Sequence, residues 1–258
     1  MILAIDVGNT NIVIGCCKEG KILFSDRVST NHTATSLEYA ATIKTALDLN
    51  GIDTSELHGA VISSVVPSVT KAVAKAAERF TNTEAMIIGP GIRTGLSIII
   101  DNPAQLGSDL VVDAVAGIAE YPLPLIIIDM GTATTLSVID GKGQYMGGMI
   151  VPGVAVSHDS LISRTSQLPK IALEPPRRVI GRNTVECLKS GILYGNAGAI
   201  DGLIERINES MGETCTAVAT GGLAGVIAPL CRSKIILDDD LMLKGLMIIY
   251  EKNSEKKQ

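Results

Sequence analysis

Two short turns, each directly after an apolar run, carry residue types that bind cations and phosphate. Residues 2–10 read ILAIDVGNT, and residues 125–134 read LIIIDMGTAT. A carboxylate at the end of a strand can hold a cation, and the glycine lets the turn approach a ligand closely. The amides and hydroxyls that follow can surround phosphate oxygens. Because such a turn recurs half a chain later, we predict two similar halves that face each other across a nucleotide-phosphate site.

A third turn, Thr220-Gly221-Gly222, lies between a predicted strand and a predicted helix. On its own it indicates the closely packed start of a helix. Beside the two acidic turns it also fits a wall of a nucleotide cleft, since helix N-termini attract phosphate groups. The residues alone leave both interpretations open.

The segment Gly107-Ser108-Asp109-Leu110 opens a predicted helix and contains a candidate general base. Asp109 is either a first-turn carboxylate favoured by the helix dipole or a base that orients or deprotonates an attacking hydroxyl. Farther along, Thr184 begins a long predicted helix, where it either belongs to the helix cap or forms a hydrogen bond with a substrate. Spacing alone does not separate these alternatives.

The elements that position these turns follow one another in the order typical of an α/β fold. Three strands are predicted over residues 2–29, and alternating helices and strands follow them. The second half repeats this plan from about residue 125. We therefore predict two domains, residues 1–121 and 122–258, each a sheet covered by helices.

Four glycines on the long predicted helix form one stripe, because they are spaced four, three and four residues apart. An exposed glycine costs about 1 kcal/mol relative to alanine in a helix interior. The stripe therefore predicts that another backbone approaches closely, either from this chain or from a second copy of it. The glycines are Gly191, Gly195, Gly198 and Gly202.

Composition and charge exclude several classes of function. The formal net charge is −5 and no basic run is longer than the pair at 177–178, so no nucleic-acid partner is expected. No apolar stretch reaches about 18 residues without a charged or turn residue, so no membrane span is expected. The five cysteines lack C-x-x-C spacing and the N-terminus lacks a basic leader, which together predict a cytoplasmic protein with free thiols.

Taken together, the motifs resemble those of the type III pantothenate kinases, which belong to the superfamily of acetate and sugar kinases, Hsp70 and actin. The resemblance covers almost the whole chain and keeps the order of the motifs. They are DVGNTN at 6–11, SSVVP at 63–67, GPGIRTGL at 89–96, DNP at 101–103, G-x-D at 107–109, DMGTATT at 129–135, GG then PG at 147–153, GRNT at 181–184, SGILYG at 190–195, ATGGLA at 219–224 and LKGL at 243–246.

The resemblance implies a fold, an activity and an assembly. The fold would be two ribonuclease-H-like halves of the actin and Hsp70 type, with mixed sheets flanked by helices and a nucleotide cleft between them. The activity would be transfer of the γ-phosphoryl group of ATP to the primary hydroxyl of pantothenate, the first step of coenzyme A biosynthesis. The assembly would be a homodimer.

The resemblance also implies a role for each candidate residue. Asp109 would be the catalytic base, Asp6 would bind Mg²⁺, and Asp129 would hold a monovalent cation, potassium or ammonium. The residues around ATP would be Asp6, Val7, Gly8, Asn9, Thr10, Asn11, Ile12, Val13, Thr132, Gly221 and Gly222. The residues around pantothenate or a related alcohol would be Gly107, Ser108, Asp109, Leu110, Ile100 and Thr184, the last contributed by the second subunit.

Two positions on the acceptor side depart from the family. The family usually has Tyr where this chain has Ile100 and Arg where it has Leu110. Loss of a charged Arg contact removes about 1.5–3 kcal/mol, and loss of a Tyr hydroxyl contact removes about 1 kcal/mol. Both changes argue against an ordinary pantothenate pocket, whereas the retained Asp6, Asp109 and Asp129 argue against loss of catalysis.

Three interpretations therefore remain open from the sequence. The chain is a pantothenate kinase whose acceptor pocket is compensated elsewhere, or a kinase of the same fold that acts on a different small alcohol. The third alternative is a non-catalytic paralogue that binds nucleotide or a partner and regulates.

Overall fold

The predicted strands form two mixed β-sheets. The computed structural model describes residues 1–254. The first sheet consists of β1 (Ile2–Val7), β2 (Asn11–Lys18), β3 (Lys21–Ser29), β4 (Gly59–Ser64) and β5 (Met86–Ile87). Its strand order is β3-β2-β1-β4-β5, with β1 antiparallel to β2 and parallel to β4.

The second sheet repeats this order and adds one strand. It consists of β6 (Ser97–Ile98), β7 (Leu125–Met130), β8 (Ala133–Ile139), β9 (Gln144–Pro152), β10 (Thr216–Thr220) and β11 (Ile235–Leu237). Its order is β11-β10-β7-β8-β9-β6, so β9-β8-β7-β10-β11 corresponds to the whole first sheet. β7 is antiparallel to β8 and parallel to β10, as β1 is to β2 and β4. The shared topology confirms the predicted pair of similar α/β halves.

Helices follow the strands in the predicted order, and their ends follow local sequence signals. The helices are α1 (Ser36–Leu49), α2 (Pro67–Thr81), α3 (Ser108–Glu120), α4 (Val154–Ser163), α5 (Thr184–Met211), α6 (Ala224–Ile227) and α7 (Leu241–Ser254). Thr35 and Glu38 form a capping box at the start of α1. α5 ends at Gly212, whose φ of +72° favours glycine.

The central strand of each sheet is buried on both faces because helices cover both sides. In β1, Leu3, Ala4 and Ile5 are fully buried, and in β7 the run from Leu125 to Ile128 is buried as well. Continuous apolar runs are typical of strands in such a position. Each buried strand ends at one of the two acidic turns, so the core fixes where those turns begin.

The chain contacts divide into two compact units that are not continuous in sequence. One unit contains Met1–Leu96, Asn102–Ala119 and the chain from Asp240 onward, and the other contains Ser97–Asp101 and Glu120–Asp239. These units differ from simple halves of the chain because the last helix packs within the first unit. The division into domains 1–121 and 122–258 stays a proposal about the internal repeat.

α7 lies close against the first sheet and against α3. A Cβ on Gly15 in β2 would lie 2.5 Å from Leu243, and a Cβ on Gly245 would lie 2.2 Å from the carbonyl oxygen of Val112 in α3. Small residues at these points let the helix reach the sheet. Leu243 and Leu246 are fully or nearly fully buried there. α7 is therefore part of the core of the unit that contains Asp6 and Asp109.

A separate question is whether any helix could cross a bilayer. Over residues 1–254, no helix combines the length and the apolar character needed to span a membrane.

Candidate active site

The first acidic turn is fixed by hydrogen bonds from the chain that follows β3. Asp6 lies opposite Val13 in β2 and Ser63 in β4. The Gly8 amide donates to Asn11 O at 3.0 Å, and the Thr30 hydroxyl donates to Gly8 O at 2.6 Å. These bonds close the turn between β1 and β2 and hold it in one shape.

Two further bonds support the exposed tip of this turn. The Thr30 amide donates to Thr10 O at 2.9 Å, and His32 Nε2 lies 3.1 Å from Asn9 O. Since a carbonyl oxygen only accepts, His32 Nε2 carries the proton in this contact. Asn9 and Thr10 remain exposed, so their amides and side chains are accessible to a ligand.

The other residues predicted around ATP divide into buried and accessible positions. Val7 and Ile12 are buried in the core, so a nucleotide could contact them only through the backbone. Asn11 and Val13, in β2, are partly exposed. The exposed part of this segment is therefore the turn itself, and its contact with phosphate groups stays a prediction.

Asp109 is placed by the serine that precedes it. α3 begins at Ser108, whose hydroxyl donates to Ser64 O and accepts from the Ser64 amide, both at 3.2 Å. The same oxygen lies 3.1 Å from Ser63 Oγ. Because the single proton of Ser108 is directed to Ser64 O, Ser63 is the donor in that third contact. The start of α3 is thus attached to the end of β4, and β4 is the neighbour of the strand that carries Asp6.

The Asp109 carboxyl group lies in a partly buried position that disfavours its charged form. Burial raises the pKa of Asp109 above the usual aspartate range, and the hydrogen bond from the Leu110 amide at 2.9 Å partly offsets this. A Cβ on Gly107 would lie 2.4 Å from Asp109 Oδ1. Gly107 therefore leaves the space that the carboxyl group occupies, which is a structural role for the predicted acceptor-side glycine.

The second acidic turn has the same position in its own sheet. Asp129 lies opposite Thr135 in β8 and Thr220 in β10. The Gly131 amide donates to Ala133 O at 3.1 Å. Thr132 accepts a hydrogen bond at its carbonyl oxygen from the Gly153 amide at 3.2 Å. Gly153 is the N-cap residue of α4, so this turn is attached to the start of a helix, as the first turn is attached to the chain after β3.

Gly221 is packed directly against Asp129. It has a φ of +93°, and a Cβ at this position would lie 2.4 Å from Asp129 Oδ1 and 2.7 Å from the Met130 amide nitrogen. The next helix, α6, has only four residues, so it offers little helix dipole for a phosphate group. The close-packing interpretation of the Thr220-Gly221-Gly222 turn therefore holds for Gly221. Contact of Gly221 and Gly222 with adenosine stays a prediction.

Thr184 is one of the residues that line a pocket formed by α4, α5 and the segment before α5. The cap of α5 is Asn183, whose side chain accepts from the Glu186 amide at 2.9 Å. Thr184 is exposed and is the first residue of the helix. It lines a pocket with a volume of about 1120 Å³, together with the basic side chains of Arg164 and Arg182. The structure thus leaves the Thr184 hydroxyl available for a ligand.

The two residues that depart from the family lie in different units. Leu110 is in the first turn of α3, next to Asp109, and is partly buried. Ile100 follows β6 in the second unit, where it lies 3.8 Å from the place of a Cβ on Gly147.

Each acidic turn offers a single carboxylate, which suits a cation that takes most of its ligands from water and substrate phosphates. Among residues 1–254, no group of three or more His, Cys, Asp or Glu side chains converges as a complete metal site. Asp6 and Asp129 each supply one carboxylate beside a glycine-containing turn. Mg²⁺ is usually bound in this way, through one or two carboxylates together with water and substrate phosphates. The donor set is therefore compatible with the predicted cations.

Sequence analysis missed the residues that brace the site. Ser63 belongs to a motif that was noted, but its bond to Ser108 spans 45 residues and has no local signal. Thr30 and His32 follow β3 and reach back to the first turn in the same way. A polar residue directly after a buried strand is the signal that would have indicated Ser63.

The fold is similar to that of solved structures that share little sequence identity with this chain. The chain is similar to the activator of the 2-hydroxyisocaproyl-CoA dehydratase from Clostridium difficile, with a TM-score of 0.60, 15% identity, and coverage of 100% of this chain and 97% of that one. It is also similar to component A of the (R)-2-hydroxyglutaryl-CoA dehydratase from Acidaminococcus fermentans, with a TM-score of 0.59, 15% identity and 99% coverage of both chains. This likeness confirms the predicted fold class, while a nucleotide cleft between the halves stays a prediction.

The family is shown by sequence comparison. A model of the type III pantothenate kinase family matches residues 2–206. A type III pantothenate kinase from Exiguobacterium sp. is 42% identical over 255 residues, which cover 99% of this chain and all of that protein. One from Geobacillus sp. is 43% identical over 258 residues and covers both chains completely. The chain belongs to the type III pantothenate kinase family.

Proposed function

We propose that this protein transfers the γ-phosphoryl group of ATP to the primary hydroxyl of pantothenate, the first step of coenzyme A biosynthesis. The observation that carries the proposal is the position of Asp109 in a chain of this family. The residue before it, Ser108, is hydrogen-bonded to Ser64 at the end of β4, and β4 is the neighbour of the strand that carries Asp6. A base and a phosphate-binding turn at one edge of a sheet are what transfer to an alcohol needs.

In this proposal Asp109 accepts the proton of the attacking hydroxyl. Burial raises the pKa of its carboxyl, which brings it closer to neutral pH and makes the ionised form a better base. The amide of Leu110 keeps one carboxylate oxygen oriented. The exposed turn at Asn9 and Thr10 would bind phosphate oxygens and hold the γ-phosphoryl group in line with the hydroxyl.

The two acidic turns would hold the cations of the reaction. Asp6 would bind Mg²⁺ together with the phosphates of ATP, and Asp129 would hold potassium or ammonium. When bound, these cations neutralise negative charge on the transferred group. The glycine at position 221 supports this assignment, because a Cβ there would lie 2.4 Å from Asp129 Oδ1 and would crowd the carboxylate.

Pantothenate is favoured over the two alternatives that the sequence left open. Relatives that share more than 40% of their residues with this chain carry the name type III pantothenate kinase, and this favours neither a different alcohol nor a non-catalytic paralogue. The replacement of Tyr and Arg by Ile100 and Leu110 is then compensated by other contacts with pantothenate. The exposed Thr184 hydroxyl and the pocket that it lines are candidates for such contacts.

We also propose a cytoplasmic homodimer as the active assembly. Around Gly191, Gly195 and Gly198, no heavy atom of residues 1–254, apart from the helix's own backbone, lies within 4 Å of the place of a Cβ. The predicted close approach of another backbone is therefore not made at these positions by the described part of the same chain. This supports a second copy as the partner of the stripe, and such a copy could bring Thr184 to the other active site.

The experiment that tests the function compares acceptors and cations. Steady-state kinetics would be measured with ATP and Mg²⁺, with pantothenate or other primary alcohols, in potassium, ammonium or sodium. We expect turnover with pantothenate that requires potassium or ammonium. The variant Asp129→Asn should no longer be activated by either cation. Turnover with another alcohol but not with pantothenate would overturn the proposed substrate. The variant Ile100→Tyr with Leu110→Arg tests the acceptor side, and an unchanged KM for pantothenate would show that these positions do not limit binding.

A further inference from the structure

The C-terminal end of α7 is hydrogen-bonded to the loop that follows β5. This loop, residues 89–96, has the sequence GPGIRTGL. The Arg93 amide donates to Asn253 Oδ1 at 3.0 Å, and Asn253 Nδ2 donates to Arg93 O at 2.9 Å. One side-chain amide therefore pairs with both backbone groups of Arg93, much as a neighbouring strand would.

A lysine adds a third attachment next to the first two. Lys252 Nζ donates to Thr94 O at 3.1 Å. Its ammonium group occupies the space beside Gly95, where a Cβ would lie 1.9 Å from Nζ, and Gly95 has a φ of +77°. Gly95 thus permits the turn and also leaves room for the lysine. We call these three hydrogen bonds from Asn253 and Lys252 the α7 clamp.

The clamped loop lies at the edge of the first sheet that carries the candidate catalytic residues. β1, β4 and β5 are parallel, so their C-terminal ends lie at one edge. Asp6 is near the end of β1, and Ser63 and Ser64 end β4, where they hold the start of α3. The loop starts two residues after the end of β5. All of these elements belong to the same compact unit.

The loop is also the part of the chain that leads to the acceptor-side position Ile100. The clamp holds residues 93 and 94, and β6 begins three residues later at Ser97. Glycines in the loop make it intrinsically adaptable, since Gly91 and Gly95 both have positive φ values. A loop of this kind needs external attachments to keep one conformation.

We propose that Asn253 and Lys252 are positioning residues for the acceptor alcohol, because they fix the 89–96 loop at the catalytic edge. The inference rests on the proposed kinase function. α7 lies beyond residues 2–206, which the family model matches, so the clamp is formed by a helix outside that match. Asn253 holds the loop backbone, and the loop in turn limits where the acceptor can bind.

The test compares variants of the clamp with a control on the same helix. Asn253→Leu keeps the branching at Cγ but removes both hydrogen bonds to Arg93, Lys252→Met removes the bond to Thr94, and Asn253→Gln restores the amide group. Glu251→Ala is the matched control, because Glu251 is exposed and lies outside the clamp. The readouts are kcat, the KM values for pantothenate and for ATP, and hydrogen exchange of the peptide that covers residues 89–97.

We expect Asn253→Leu to raise the KM for pantothenate about 5- to 150-fold, the range that loss of two neutral hydrogen bonds produces. The KM for ATP should change less than about twofold. Amide exchange in the loop should become faster, by a factor similar to the increase in the KM for pantothenate. Lys252→Met should act in the same direction with a smaller effect. Asn253→Gln should recover part of the loss, and Glu251→Ala should match the unmodified protein.

Each outcome decides the inference. Equal increases in both KM values would show a general loss of structure and would overturn a positioning role. Faster loop exchange with an unchanged KM for pantothenate would also overturn it. If the unmodified protein does not turn over pantothenate, the proposed function fails. Hydrogen exchange of the 89–97 peptide then tests by itself whether the clamp holds the loop. Unchanged exchange in Asn253→Leu would reject the clamp, whereas faster exchange would support it for a different acceptor.

Discussion

Replacing Asp109 by Asn should abolish activity without reducing stability. Burial raises the pKa of the Asp109 carboxyl in the folded protein, so folding disfavours its ionised form. The folded state therefore binds more protons than the unfolded state between the usual aspartate pKa and the raised value. The free-energy cost of holding an ionised Asp109 is present above this window and disappears as pH falls through it.

The expected changes in stability and in kcat follow from the hydrogen bond that the asparagine amide keeps and from the charge that it loses. An asparagine side chain has nearly the same shape, and its Oδ1 can still accept from the Leu110 amide at the position now 2.9 Å away. It carries no charge, so the cost of burying one is removed. Substitutions that relieve such strain at functional sites commonly add about 0.5–2 kcal/mol of stability. Loss of a general base reduces kcat by about 10²- to 10⁴-fold.

The assay combines kinetics with thermal unfolding at two pH values. Asp109→Asn should lack measurable turnover and should have a Tm at pH 8 equal to or above that of the unmodified protein. The difference in Tm should shrink as the second pH is lowered through the raised pKa of Asp109, because Asp109 gains a proton in the folded state there. Asp239→Asn, which changes an exposed carboxylate, serves as the control. A variant that loses more than about 1 kcal/mol at pH 8, or that keeps its activity, would refute this account of Asp109.

Three further predictions concern the second unit. Gly221→Ala should destabilise the protein by about 1–3 kcal/mol and weaken activation by potassium, because the residue has a φ of +93° and the added Cβ would lie 2.4 Å from Asp129 Oδ1; unfolding and salt-dependent kinetics measure both effects. Tyr121→Phe should cost about 1.5–3 kcal/mol in urea unfolding, since the Tyr121 hydroxyl donates to the Asp238 carboxylate at 2.7 Å, and unchanged stability would contradict this. Gly195→Leu should shift the protein from dimer to monomer in light scattering while leaving its circular dichroism unchanged, because the site is open within the described chain.

The acidic turns could be predicted because their signals are local. An apolar run followed by Asp, any residue and Gly marks a buried strand and the turn that ends it, and β1 and β7 end in this way. The repeat of the pattern predicted two similar sheets, which share one strand order. The long helix α5 could be bounded because Asn183 and Gly212 are ordinary capping residues.

The contacts that complete the site could not be predicted because they join distant parts of the chain. β6 has two residues and pairs with β9 through Ser97 and Gln144, a contact that no local pattern indicates. α7 has helical periodicity, but periodicity does not say that the helix returns to the first sheet. The pairing of Asn253 with Arg93 spans 160 residues and depends on that return.

The presence of α6 was predicted from the sequence, but its short length was not. A strand, the turn Thr220-Gly221-Gly222 and a helix were all predicted, yet the helix has four residues and is followed by a 3₁₀ turn. Pro229 lies just after it, where the missing amide hydrogen prevents a longer α-helix. The sequence therefore predicted the helix after this turn, and a single proline limits its length.

The central claim is phosphorylation of pantothenate with Asp109 as the base, and its most direct test identifies the product. The purified protein would be incubated with ATP, Mg²⁺, potassium and pantothenate, and phosphorus-31 NMR would follow the transferred group. The account predicts a phosphomonoester on the primary hydroxyl of pantothenate, formed by the unmodified protein and not by Asp109→Asn. Folded protein that binds ATP but leaves pantothenate unmodified, or an Asp109→Asn variant that forms the same ester, would contradict it.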